Sequence, residues 1–233
     1  MRSYRYFDII MALFVAVLVL SNIASSAKIV DLGFSLFGIR LAFDGGTLLF
    51  PLAYVLGDIL TEVYGFRASR RVIWTGFAIL AFSALVFFTL QALPPEPFWE
   101  AEAGTAAYNA ILGGMSSGGI VLASLAGYLV GEFCNSALLS KIKVMMRGRL
   151  FWFRAVVSSL LGELLDSLIF VSIACLTGVF GWELFITLAL TNYILKCLIE
   201  ALVLPVTYAV TRQLKKREGI DVYDVGIKYK PIG

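Results

Sequence analysis

The chain has 233 residues, of which 60% are hydrophobic and 15% charged, with a net charge of +3 and a mean hydropathy of +0.88. A soluble domain is about 45–50% apolar, and one core of this length cannot hide the surplus, so lipid is the expected solvent for most of it. The absence of His removes the usual zinc ligand, general base and proton shuttle, and cations confined to short loops exclude a continuous nucleic-acid-binding stripe.

A window of about 19 residues finds six apolar segments, each long enough to cross a hydrocarbon core of about 30 Å. The first, 7–30, carries Ser21 and Asn22 near its middle and Lys28 toward its outer end. Arg2 and Arg5 before it, and Ala24-Ser25-Ser26-Ala27 near its end, resemble a cleaved secretory signal. It is read here as a retained span. The second, 47–64, holds Tyr54 and, four residues apart on one helical face, Asp58 and Glu62; Pro51 suits a first turn or a kink. Arg67, Arg70 and Arg71 follow, and then the third span, 72–93. A loop with Pro94, Pro95, Glu96, Pro97, Glu100 and Glu102 leads to the fourth, 111–139. There Gly118, Gly119, Gly127 and Gly131 make a slim helix able to pack closely or bend, and Glu132 and Asn135 share a face. The fifth, 155–177, places Glu163 and Asp166 three apart beside Ser158, Ser159 and Ser167. The sixth, 183–210, spaces Asn192, Lys196 and Glu200 by fours and contains Pro205. Cys134, Cys175 and Cys197 lie in apolar runs without ligand spacing and read as small buried hydrophobes; no metal or cofactor motif is present.

Loop charge alternates. Arg2 and Arg5, then Arg67–Arg71, then Lys141, Lys143, Arg147, Arg149 and Arg154, and finally the tail from Arg212 to Lys230 are basic. The first intervening loop has Arg40 alone, and the third and fifth have no cation. This is the positive-inside pattern of one all-α membrane domain, 1–233, with both termini cytoplasmic. Gly57-Asp58, Gly131-Glu132 and Gly162-Glu163 add a weak regularity.

Away from the first residues of the spans stand six carboxylates, and only Lys28 and Lys196 oppose them. Each costs at least ~2.5–3.5 kcal/mol at a helix centre. Either some are protonated or they meet water and ligand. A structural reading pairs Lys196 with Glu200 along their own helix and lets Glu62 and Glu132 snorkel; Asp58, Glu163 and Asp166 are deeper. Without His, the common nucleophilic arrangements fail, although a Ser–Lys dyad stays open. No phosphate-binding loop is present. A carrier with an acid-lined, water-accessible pocket fits best.

Ser21-Asn22 with Lys28, Phe50-Pro51-Leu52 and Tyr54 leading into Asp58, Glu62 and Tyr64-Gly65, Gly131-Glu132 with Asn135-Ser136, and Gly162-Glu163 with Asp166-Ser167 carry a resemblance. Together they resemble the queuosine precursor transporter family from about residue 21 to 200; Glu163 departs from the expected pattern. The resemblance implies a six-helix importer in the bacterial inner membrane for 7-cyano- or 7-aminomethyl-7-deazaguanine. It also implies a fold similar to the substrate-binding subunits of energy-coupling-factor vitamin transporters. A deazaguanine presents a ring N–H beside an exocyclic amine, which a carboxylate accepts in bidentate fashion. The candidate binding set is Asn22, Tyr54, Asp58, Glu62, Glu132, Asn135, Glu163, Asp166 and Lys196, with Glu132 the choice for that bidentate contact.

The expected partners are a deazapurine and the lipid bilayer, with no nucleic acid and no cofactor; a homodimer is compatible. Three rival readings stay open. One is a binding subunit for an ATP-driven energy-coupling complex, docking through Ala12 and Ala16. Another is an intramembrane enzyme using the carboxylates, and the third a purely structural subunit.

Overall fold

The computed structural model describes residues 4–36 and 39–232, with the backbone alone for 34–36 and 39–42. The predicted cation Arg2 and the side chain of Arg40 lie outside the described residues. Six helical segments are long and apolar enough to span a membrane, and their order matches the six predicted spans.

Helix α1 (Phe7–Ala27) buries Phe7, Ile10, Phe14 and Leu18, a stripe at helical spacing, and leaves Ile9, Leu13 and Leu20 exposed on the other side. A helix apolar all round belongs in lipid. It ends three residues before the predicted boundary. Lys28 is extended and exposed, so it does not oppose the buried acids as the sequence suggested. Two antiparallel strands follow where a loop was expected, β1 (Ile29–Leu36) and β2 (Ile39–Asp44). Val30-Asp31-Leu32 and Ile39-Arg40-Leu41 alternate as strands do, a local signal overlooked in favour of the span. A 3₁₀ turn (Gly45–Leu48) is capped by the Asp44 carboxylate, which accepts from Gly46 N at 3.0 Å. It presses on α1 so closely that a Cβ on Gly45 would lie 2.7 Å from Ala24 O.

Helix α2 (Phe50–Tyr64) has Pro51 in its first turn, where no N–H is missed, and is the most enclosed element of the bundle. Gly65, at φ 84°, reverses the chain directly into α3 (Phe66–Ala92). Helix α3 therefore begins six residues before the predicted span. The Asp224 carboxylate accepts from Phe66 N at 2.7 Å, satisfying one of the exposed donors of that first turn. A short α4 (Pro97–Glu102) sits in the acidic loop.

The fourth span is broken. Helix α5 (Gly104–Ser116) stops at extended Ser117, and α6 (Gly118–Met145) starts immediately after. Gly113-Gly114, Ser116-Ser117 and Gly118-Gly119 make continuous helix locally costly. Helix α6 packs on α7 (Phe151–Leu176) backbone to backbone: a Cβ on Gly131 would approach Gly162 O at 2.9 Å, and one on Gly162 would approach Gly131 O at 2.9 Å. Helix α8 (Phe185–Glu218) continues through Pro205 and eight residues beyond the predicted end.

The start of α1, the α2–α3 and α6–α7 turns and the end of α8 meet at one end of the bundle. Glu218 accepts from Tyr6 N (2.7 Å) and Tyr64 Oη (2.8 Å), and the tail after Gly219 pairs Val222 N with Val63 O (3.3 Å). These are the segments that carry the clustered cations. The hairpin lies toward the opposite end.

Candidate functional site

A narrow cleft with a cavity volume of about 30 Å³ lies between α1, the end of β2 and helices α2, α3 and α5 to α8. That space holds a water or two and is well below the about 300–1,000 Å³ of an open small-molecule site, so a ligand would have to part these helices. Helix α1 contributes Asn22, held by its own helix through Nδ2 to Leu18 O (2.8 Å), while its Oδ1 accepts from Ser124 Oγ on α6 (2.5 Å). Asp44 enters from the end of β2 and accepts from Ser25 Oγ and from Thr47 Oγ1 (3.0 Å). Asn192 of α8 lies 3.5 Å from Thr47 Oγ1. At the far wall Lys196 Nζ donates to Asp166 Oδ2 at 2.5 Å and stands 5.0 Å from the centre of the Phe50 ring. Leu80, Met115, Ile120 and Phe170 supply apolar surface. An ion pair, two amides and an aromatic face together suit a flat, polar-edged ligand.

Of the nine residues predicted from sequence, Asn22, Asp166 and Lys196 line this cleft. Lys196 turns to Asp166 on α7, not to Glu200 on its own helix. Phe50 and Asn192 had been noted only as a motif residue and a span residue; Ser25, Asp44 and Ser124 were missed. Asp44-Gly45-Gly46 before an apolar run is a capping signature that pointed to Asp44.

Tyr54, Asp58, Glu132 and Asn135 form a second layer between α2, α6 and α7, behind the cleft wall. Asn135 Nδ2 donates to Asp58 Oδ1 at 2.9 Å. Glu132 is fully buried against Gly57, whose Cβ would lie 2.8 Å from Oε2, and neither of its oxygens has a hydrogen-bond partner among the described residues. The Tyr54 hydroxyl also has none. Glu163 faces a separate small cavity with Glu200 and Cys197.

Glu62 stands apart from both layers. Arg154, itself fully buried, grips it with two bonds (Nη1–Oε2 2.7 Å, Nη2–Oε1 3.1 Å), and Lys215 Nζ reaches Oε1 at 2.5 Å. Lys143 lies 3.6 Å from the same oxygen and donates to Glu62 O and Asp221 Oδ1, both at 2.5 Å. Partial burial pushes the Asp221 carboxyl up, but hydrogen bonds from Lys143 and Lys215 outweigh it and hold the group below the ordinary carboxylate value. Glu62 and Asp58, expected in one substrate site, thus have different partners: Asp58 meets Asn135, and Glu62 meets Arg154 and Lys215. Sharing a helix face brought them to the same side of α2, but cations that read as loop and tail charges in sequence claim Glu62.

A multi-pass helical bundle with a polar cleft walled by a broken span and a buried ion pair defines a membrane transporter. The chain belongs to the family described as "Putative vitamin uptake transporter", whose model matches residues 44–210. It is 25% identical over 184 residues to the "Probable queuosine precursor transporter" of Bacillus subtilis (strain 168), covering 78% of this chain and 77% of that protein. It is also 25% identical over 198 residues to the "Queuosine precursor transporter" of Escherichia coli (strain K12), covering 84% of each. The resemblance read from the motifs is borne out by these names, and the chain is a transporter, not an enzyme. No solved structure matches it.

Proposed function

We propose that the chain imports 7-deazaguanine precursors of queuosine across the bacterial inner membrane, acting alone, with both termini cytoplasmic. The observation that carries the substrate is the Asp166–Lys196 pair in the cleft beside Phe50. A deazaguanine edge presents a carbonyl, a ring N–H and an amine in a row. Lys196 donates to the first and Asp166 accepts from the other two, while the ring lies against Phe50. Asn22 and Asn192 serve the remaining ring N–H and the 7-substituent. The bidentate contact thus falls to Asp166 instead of Glu132, which lies behind the wall.

The test is uptake of each precursor, supplied singly at low concentration to cells unable to make queuosine, read as tRNA modification. Asp166→Asn removes one acceptor and is expected to cut uptake at least tenfold, about 1.4 kcal/mol, with normal membrane levels. Guanine-like analogues compete and adenine-type analogues do not. Equal competition by both, or wild-type uptake by the variant, overturns the assignment. The energy-coupled alternative draws on one observation, that Ala12 and Ala16 are exposed on α1. Uptake in cells holding only this protein decides between them.

A further inference from the structure

Between α7 and α8 lies a cavity of about 30 Å³ that is distinct from the cleft. Glu163 and Glu200 line it together with Ser159 and Cys197, and its remaining walls are Val156, Leu160, Ala201 and Leu204. Glu163 is fully buried and Glu200 is 6% exposed. Among the described residues Oε1 of Glu163 and both oxygens of Glu200 have no hydrogen bond of good geometry, although Ser159 and Glu163 stand near enough to Glu200 to interact with it, while Oε2 of Glu163 accepts from the Cys197 thiol at 3.0 Å. The nearest cation, Lys196, is held by Asp166.

Two carboxylates facing one another without a cation repel, and burial multiplies that cost. Such a pair is relieved by one shared proton or one small cation. Hard cations gather about six oxygens. This cavity offers two carboxylates among mostly apolar walls, and no metal-holding group of three His, Cys, Asp or Glu occurs among the described residues. A proton fits the site better.

Position links the pair to the cleft. Glu163 lies three residues before Asp166 on α7, and Glu200 four residues after Lys196 on α8, so each helix carries one member of each pair on one face. Glu163 and Lys196 are also near enough for their charges to act on one another. We propose that Glu163 and Glu200 hold one exchangeable proton that moves with the substrate, and that Lys196 reads its presence. With the proton on the pair, one negative charge remains there and Lys196 stays on Asp166, completing the cleft. Loss of the proton leaves two negative charges, which draw the Lys196 ammonium out of the cleft and strip it of its donor. Proton and ligand therefore favour each other's binding, the condition for symport.

Other titratable groups face the pair. Tyr54 and Asp58 approach from α2, and Glu132 from α6. Asp166 shares α7, and Tyr193, Lys196 and Cys197 share α8. The test must separate the pair from these.

The proposal rests on the substrate reading above. Binding of 7-cyano-7-deazaguanine to the full chain in detergent is measured against pH. In wild type, Kd is expected to rise up to roughly tenfold per pH unit on the alkaline side of one transition, the linkage of one proton. Glu200→Gln, which fixes that carboxyl neutral, binds with a flat pH profile, and Glu163→Gln flattens it likewise. A merely structural role lowers affinity without removing the slope. Persistence of the slope in both variants, or its replacement by dependence on sodium, overturns the proposal. If wild type binds no deazaguanine, the substrate reading fails by itself. The proton site is then judged by infrared spectroscopy: a protonated-carboxyl band in wild type that Glu200→Gln and Glu163→Gln remove supports it, and no such band at any pH overturns it.

Discussion

Replacing Glu62 by Gln is expected to weaken the bundle while leaving ligand selectivity intact. In the native protein one carboxylate accepts two bonds from Arg154 and one from Lys215, with Lys143 a further 3.6 Å away. Gln keeps one acceptor and turns the other into an NH₂ that points at a cation. At least one charge-assisted bond is lost, worth about 1.5–3 kcal/mol. Lys143 and Lys215 then share only Asp221 and Arg154 loses its carboxylate, and breaking a buried pair by removing one partner costs about 3–5 kcal/mol. Arg154 retains the carbonyls of Gly148 and Arg149, which offsets part of that sum. A net loss near 3 kcal/mol lowers the melting temperature by on the order of 10 °C at this chain length. The assay is thermal unfolding in detergent, with precursor affinity measured alongside. Adding Arg154→Met should recover part of the loss, since the two residues are in contact. An unchanged melting temperature with affinity reduced tenfold would refute the reasoning and return Glu62 to the substrate site.

Three further outcomes are expected. Reporter fusions after Arg71, Arg149 and Arg217 read cytoplasmic and one near Glu100 reads external; a cytoplasmic signal at Glu100 contradicts the six-span topology. Gly162→Ala puts a methyl 2.9 Å from Gly131 O and costs about 1–3 kcal/mol by thermal unfolding, whereas Gly118→Ala, with nothing within 4 Å, is tolerated; equal effects would deny the backbone contact of α6 and α7. The Asp221 carboxyl is held below 3.8 in the folded protein, so its contribution is complete above that value and is lost as pH falls through the lower folded one. Proteolysis of the tail should therefore accelerate below about pH 4, and Asp221→Asn should show that behaviour at neutral pH; equal protection throughout would deny that Asp221 holds the tail to Lys143 and Lys215.

The span count and the segregation of cations to one end were determined by the sequence alone, because both are sums over local composition. So were the polar stripes. Asn22, Asp58 with Glu62, Glu132 with Asn135, and Glu163 with Asp166 each lie on one helical face, and every one of them is buried. The hairpin was legible too, in the alternation around Asp31 and Arg40, once a short stretch of period two is set against a longer apolar run. Tertiary structure alone decided which stripe meets which. Periodicity orients a side chain about its own helix axis, but partners depend on how helices approach and slide past one another. That is why Lys196 pairs across to Asp166, why Arg154, Lys143 and Lys215 converge on Glu62, and why Glu132 lies behind the cleft it was expected to line. The break at Ser117 had its glycines and serines in plain view. The sequence does not show that α5 docks on α1 there, where a Cβ on Gly114 would meet Ser26, because close approach belongs to the packed bundle.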